Sequence, residues 1–80
     1  MAFKSTTYFQ STRTRDDRQH ILDEWIETVL AMPEREYIQV DHRIRMWRKI
    51  TAAEGRYLRL VVLPDGETVH NAFFDRGFKP

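Results

Sequence analysis

The chain has no cysteine, so neither a disulfide framework nor a thiolate metal site is open to it. That absence fits a reducing compartment. No apolar run approaches the roughly 20 residues a membrane span needs, and the N-terminus carries no signal-peptide h-region. A cytoplasmic protein with no membrane association is therefore expected. Glycine-rich phosphate loops, nucleophile elbows and glycosidase-like carboxylate pairs are also missing. The three histidines, His20, His42 and His70, lack metal-type spacing, so neither a metal nor another cofactor is expected. There is no internal repeat, linker or low-complexity segment. Eighty residues make one domain, near the small end of what folds without staples.

What is present is concentrated in the last third. Residues 57–63 and 68–74 are rich in branched and aromatic side chains and flank a Pro64-Asp65-Gly66 turn, a strong hairpin signal. Turning between Leu63 and Thr68 pairs Val62 with Val69, Leu60 with Asn71 and Leu58 with Phe73. Paired residues share a face. One face then carries Leu58, Leu60, Val62, Val69 and Phe73, with Asn71 as its one polar member. The other carries Tyr57, Arg59, Val61, Leu63, Thr68, His70, Ala72 and Phe74. Both faces are largely apolar, which predicts a central hairpin.

Upstream, Ile21, Leu22, Trp25, Ile26, Val29 and Leu30 form one stripe of an amphipathic helix over residues 19–31. Asp16 or Asp17 is placed to cap it, and Met32-Pro33 stops it. Residues 2–9 form an optional short strand anchored by Phe3 and Phe9, and 10–18 read as polar and irregular. Residues 36–40 and 44–50 alternate, and a three-residue connection 41–43 pairs Val40 with Ile44 and Ile38 with Met46. Both pairs point at the helix, leaving Tyr37, Gln39, Arg45, Trp47 and Lys49 on the other face. The turn lacks glycine, so a one-residue shift would reverse the faces. The expected fold is α+β, one amphipathic helix on a four-stranded antiparallel sheet of two hairpins, with a possible extra N-terminal strand.

Charge is nearly balanced, at net +1, but segregated. Residues 42–59 hold Arg43, Arg45, Arg48, Lys49, Arg56 and Arg59 against Glu54 alone. Residues 23–36 hold Asp23, Glu24, Glu27, Glu34 and Glu36 against Arg35. An acidic helix opposite a basic sheet face makes the molecule a dipole, although solvated charge accounts for the same pattern. On the open face Arg45, Arg59 and His70 are expected to converge, with Trp47, Tyr37 and Tyr57 beside them. Metal-free RNA cleavage needs groups that move protons and cations that stabilise a charged transition state. Histidine and arginine suit those roles, and neighbouring aromatic rings suit base stacking. The plainer reading is a hydrogen-bonded His70 and solvated arginines.

The runs Gln39-Val40-Asp41-His42-Arg43-Ile44-Arg45-Met46-Trp47, Arg56-Tyr57-Leu58-Arg59-Leu60-Val61-Val62 and Thr68-Val69-His70-Asn71-Ala72-Phe73-Phe74-Asp75-Arg76 resemble a small uncharacterised bacterial protein family. That family looks like the RelE/ParE-like toxins of the barnase–EndoU–colicin–RelE ribonuclease fold class. The resemblance spans residues 19–78 and implies a toxin-like, metal-independent endoribonuclease of a toxin–antitoxin system. Carried onto this chain, it makes Arg45 and Arg59 phosphate-contacting cations and His70 the candidate acid or base, with Asp75 and Arg76 as candidate helpers, so that catalysis is expected at His70, Arg59, Arg45 and Asp75. The residues themselves suggest Arg43, Trp47, Tyr57, Arg76 and Lys49 for RNA binding. RNA and an antitoxin protein are the partners the resemblance implies. The single clear helix, acidic rather than lysine-rich, departs from ribosome-dependent members and favours a free-RNA nuclease or a non-enzymatic relative. A small protein-interaction module, homodimeric or bound to another protein, and an RNA binder without cleavage are the rival readings.

Overall fold

A computed structural model describes residues 3–15 and 20–80. The fold is α+β, with five strands in the order β1-β5-β4-β3-β2. These are β1 (Lys4–Ser5), β2 (Arg35–Ile38), β3 (Ile44–Ile50), β4 (Arg56–Val62) and β5 (Thr68–Phe74), with helices α1 (Thr7–Thr12) and α2 (Asp23–Ala31) between β1 and β2. Strands β2 to β5 pair antiparallel, as expected for two hairpins. The optional N-terminal strand exists and pairs parallel to β5, so the sheet is mixed rather than antiparallel.

The second helix is a correction to the expected architecture. The segment Thr-Thr-Tyr-Phe reads as extended on propensity, since β-branched and aromatic residues favour strands. Two features override that preference. Thr6 Oγ1 accepts the Phe9 N–H at 3.1 Å and caps the turn. Phe9 is buried, meeting Phe3 edge-on with ring centroids 5.8 Å apart, so the two predicted anchors do hold this segment. Arg13 then ties α1 to the start of α2 through Asp23 at 2.7 Å and the Ile21 carbonyl at 2.9 Å.

Strands β1 and β2 lie at opposite edges, so the chain between them must cross the sheet. It does so on one face, with α1 packed on β5 and α2 on β4 and β3. Helix α2 starts at Asp23, later than its stripe suggests, with Leu22 as an exposed N-cap lacking a side-chain bond. The proposed caps Asp16 and Asp17 lie outside the described residues. Ile21, Ile26 and Val29 are buried against Met46, Ile50, Leu58, Leu60, Val62, Val69 and Ala72. Trp25 is partly buried against that core and meets Phe74 edge-on. Arg48, on this face, donates to the Met32 carbonyl at 2.8 Å and caps the end of α2.

Two registers differ from expectation. The β2–β3 connection is five residues, so Ile38 pairs with Ile44 and Tyr37 with Arg45. His42 adopts a left-handed conformation (φ 71°) in the turn that lacks glycine. The shift is two residues, which preserves every face. Helix α2 nevertheless does not cover this edge, and Ile38 and Val40 are 65% and 98% exposed. In β4–β5 the turn and the Val62–Val69 pair are as expected, but a bulge follows. His70 is the extra residue, after which Asn71 pairs with Val61, Ala72 with Leu60 and Phe74 with Leu58. The bulge removes the Asn71 amide from the core face and puts Ala72 there, since an unsatisfied buried amide is costly.

These packing differences predict unequal sensitivity. In urea unfolding, Leu60→Ala should cost about 2–5 kcal/mol, because Leu60 is wholly buried. Val40→Thr should change stability by less than about 0.5 kcal/mol, as for an ordinary surface position.

Candidate nucleic-acid interface

With the helices on one face, the other face of the sheet carries alternate residues of each strand. One cross-strand row is Arg35–Trp47–Arg59–Phe73 and the next is Tyr37–Arg45–Val61–Asn71. Lys49 and Tyr57 form a third pair. The register thus interleaves guanidinium groups with rings at adjacent-strand spacing.

Arg59 is at the centre. Its guanidinium carbon lies 5.7 Å from the Trp47 ring centroid and 5.0 Å from that of Phe73. Flanking rings attract it through their quadrupoles. Its Nη1 is 3.5 Å from Asp75 Oδ2, and the same oxygen accepts Trp47 Nε1–H at 3.0 Å. Asp75 is held in turn by its own N–H to the Tyr57 carbonyl at 2.9 Å, while Gly77 N–H donates to its Oδ1 at 3.0 Å. The Trp47 indole hydrogen bond, chiefly, keeps the Asp75 carboxyl below its ordinary 3.8, helped by Gly77 and Arg59 and opposed by burial. Asp75 is therefore a fixed carboxylate that also sets the plane of Trp47.

Beside this group Arg45 donates Nε–H to Gln39 Oε1 at 2.7 Å and lies over Tyr37. A cavity of about 500 Å³ opens between these residues, lined by Arg35, Glu36, Tyr37, Arg45, Trp47, Arg59 and Asp75 together with the tail residues Gly77, Phe78 and Lys79. Four of its lining residues are cationic and two are acidic. The cavity therefore favours an anionic ligand with planar groups.

Arg45, Arg59 and Trp47 thus share one face as the sequence suggests, and Asp75 joins them from the end of β5 rather than standing near His70. Tyr57 and Arg76 line a smaller cavity of about 280 Å³ on the far side of Phe78, with Arg56, Phe74 and Asp75. Lys49 shares the face through its pairing with Tyr57, and Arg43 lies 3.7 Å from Asp41 beyond the end of β3. His70 is not among the residues lining either cavity. It stands in the bulge, its Nδ1 3.0 Å from Thr6 Oγ1 and its ring stacked on Tyr8 at 4.7 Å. Burial, and secondarily the Arg43 charge, holds its pKa below the ordinary 6.5. Among the described residues, no group of three or more His, Cys, Asp or Glu is placed to hold a metal ion. No described helix is long and apolar enough to cross a membrane.

Arg35, Phe73, Phe78 and Lys79 belong to the interface but were not singled out by sequence pattern. Arg35 has the parity of Tyr37 and was within reach of the alternation. Phe73 required the bulge, and Phe78 required the tail to fold back, for which no local signal exists. Compared with protein families, curated proteins and solved structures, the chain shows no match.

The His70 environment sets a pH dependence. A folded-state pKa below the unfolded one means the folded chain binds fewer protons. Its stabilising share is complete above the unfolded value and is lost as pH falls through the folded value. Unfolding free energy should therefore decline as pH falls below the ordinary 6.5 toward the lower folded value, and His70→Gln should flatten that decline. An unchanged slope in a folded His70→Gln protein would assign the decline elsewhere.

Proposed function

We propose that this protein binds single-stranded RNA on the open face of its sheet. The observation that carries the reading is the Arg35–Trp47–Arg59–Phe73 row, where cations alternate with rings beside the Arg45-lined cavity. Bases stack on aromatic faces regardless of sequence, while arginines contact phosphates bidentately. The acidic α2 lies on the opposite face, so an RNA chain approaches the basic side. The resemblance to RelE/ParE-like toxins agrees in kind with this face.

Metal-independent endoribonuclease activity is the second reading, and one observation favours it. Asp75 is a carboxylate in contact distance of Arg59, at the wall of the cavity where a phosphodiester would sit. A carboxylate can take the 2′-hydroxyl proton as that oxygen attacks phosphorus and return it to the 5′-oxygen as the P–O5′ bond breaks, while Arg59 and Arg45 hold the non-bridging phosphate oxygens. His70 enters this scheme only through a strand long enough to reach the β5 bulge. An antitoxin-type protein partner is supported by the exposed apolar residues Ile38 and Val40 at the β2 edge.

Fluorescence anisotropy of a labelled RNA octamer in EDTA tests the binding. Affinity should fall steeply with salt, and Arg45→Ala should weaken it and reduce the log–log salt slope by about 0.7. Salt-independent or absent binding would sink the proposal. Product analysis of the same samples separates cleavage from binding. Cleavage abolished by Asp75→Asn but kept by His70→Ala would place the base at Asp75, and the reverse pattern would place it at His70.

A further inference from the structure

The tail after β5 returns across the open face, and Phe78 fills a slot built almost wholly from the interface. Its ring lies parallel to Trp47, with centroids 4.9 Å apart and planes 18° from coincidence. Tyr57 meets it at 4.9 Å and 49°, and the Arg35 guanidinium carbon lies 5.8 Å from its centroid. Parallel stacking on an indole, with a guanidinium nearby, is the environment a nucleobase finds in single-strand binding sites. The attachments of Phe78 are slight by comparison. Its N–H reaches the Asp75 carbonyl at 3.4 Å, and the tail joins no strand ladder. Phe78 also lines both cavities, as does Asp75.

We propose that the Trp47–Tyr57–Arg35 slot is a nucleobase subsite and that Phe78 is its displaceable occupant. The inference rests on the RNA-binding reading and specifies where one base stacks. The slot is built to survive removal of the ring. Trp47 is held by Asp75, which is itself bonded to the β4 backbone, so the stacking platform stays in place when the tail leaves. Swinging Phe78 out frees the space that its ring fills beside both cavities. Arg35 and Arg45 line the larger cavity and the exposed Arg76 lines the smaller, positions suited to phosphates flanking a stacked base. Exchange of one aromatic ring for another keeps the apolar surfaces of Trp47 and Tyr57 covered, so the occupied and exchanged states lie close in free energy.

The test uses a fluorescein-labelled octamer of adenosines in EDTA, with the full chain carrying Trp25→Phe so that Trp47 is the sole tryptophan. Phe78→Ala should bind the octamer about tenfold more tightly than the parent, because the competing occupant is gone. The octamer should quench Trp47 emission in both proteins. Phe78→Leu, which keeps apolar cover but stacks poorly, should fall between them and serves if Phe78→Ala does not fold. Salt-dependent binding that is equal or weaker in the folded Phe78 variants, or that leaves Trp47 emission unchanged, would overturn the subsite while leaving RNA binding intact. Absence of binding by every protein would overturn both.

Discussion

One extra residue in β5 decides which side chains meet on each face of this sheet. Before the bulge, Val69 pairs with Val62 in the core; after it, the pairing has moved by one, and the rest of the strand changes sides. Ala72 and Phe74 turn toward the helices, while Asn71 and Phe73 turn toward the open face. Arg59 thereby gains the second of its two flanking rings. His70, the inserted residue, is left to Thr6 and Tyr8, which also join the N-terminal segment to the sheet. A core that rejects an amide and a face that gathers arginine and rings are thus consequences of the same local irregularity.

The core itself is lopsided. The central strand β4 contributes Leu58, Leu60 and Val62, all fully buried, with α2 packed over it and β3 and α1 over β5. Helix α2 packs chiefly on β3 and β4. The β2 edge therefore lies beyond its cover, which is why Ile38 and Val40 have the right parity for burial yet face solvent. The basic residues divide by the same geometry. Arg48 and Arg56 fall on the helix side, where one caps α2 and the other lies over Phe74 and donates to the Ala53 carbonyl. Arg35, Arg45 and Arg59 remain for the open face.

On that face, electrostatics and stacking are joined through Asp75. The carboxylate orients the Trp47 indole, neutralises part of the Arg59 charge and anchors the turn from which the tail returns. For the proposed RNA binding this face is preorganised, since its largest platform and its central cation are already positioned. The tail is the least constrained part of the arrangement. A surface of rings and guanidinium groups is poorly hydrated and readily covered by whatever planar group lies nearby.

The sequence by itself determined the α+β class, the amphipathic stripe, the Pro64-Asp65-Gly66 hairpin and the shared face of Tyr37, Arg45, Trp47 and Arg59. These follow from periodicity and turn chemistry, which act over a few residues. Even the mistaken β2–β3 register kept its faces, because a two-residue slip preserves a period of two. The solitary polar Asn71 on an apolar face was the one visible trace of the bulge. Tertiary structure alone decided the rest. Thr6 and Phe9 turn a strand-like segment into α1 because burial and a cap outweigh propensity. The bulge separates His70 from Arg45 and Arg59 because the core prefers Ala72 to Asn71. Phe78 reaches Trp47 because the tail folds back over a face that only the assembled sheet creates.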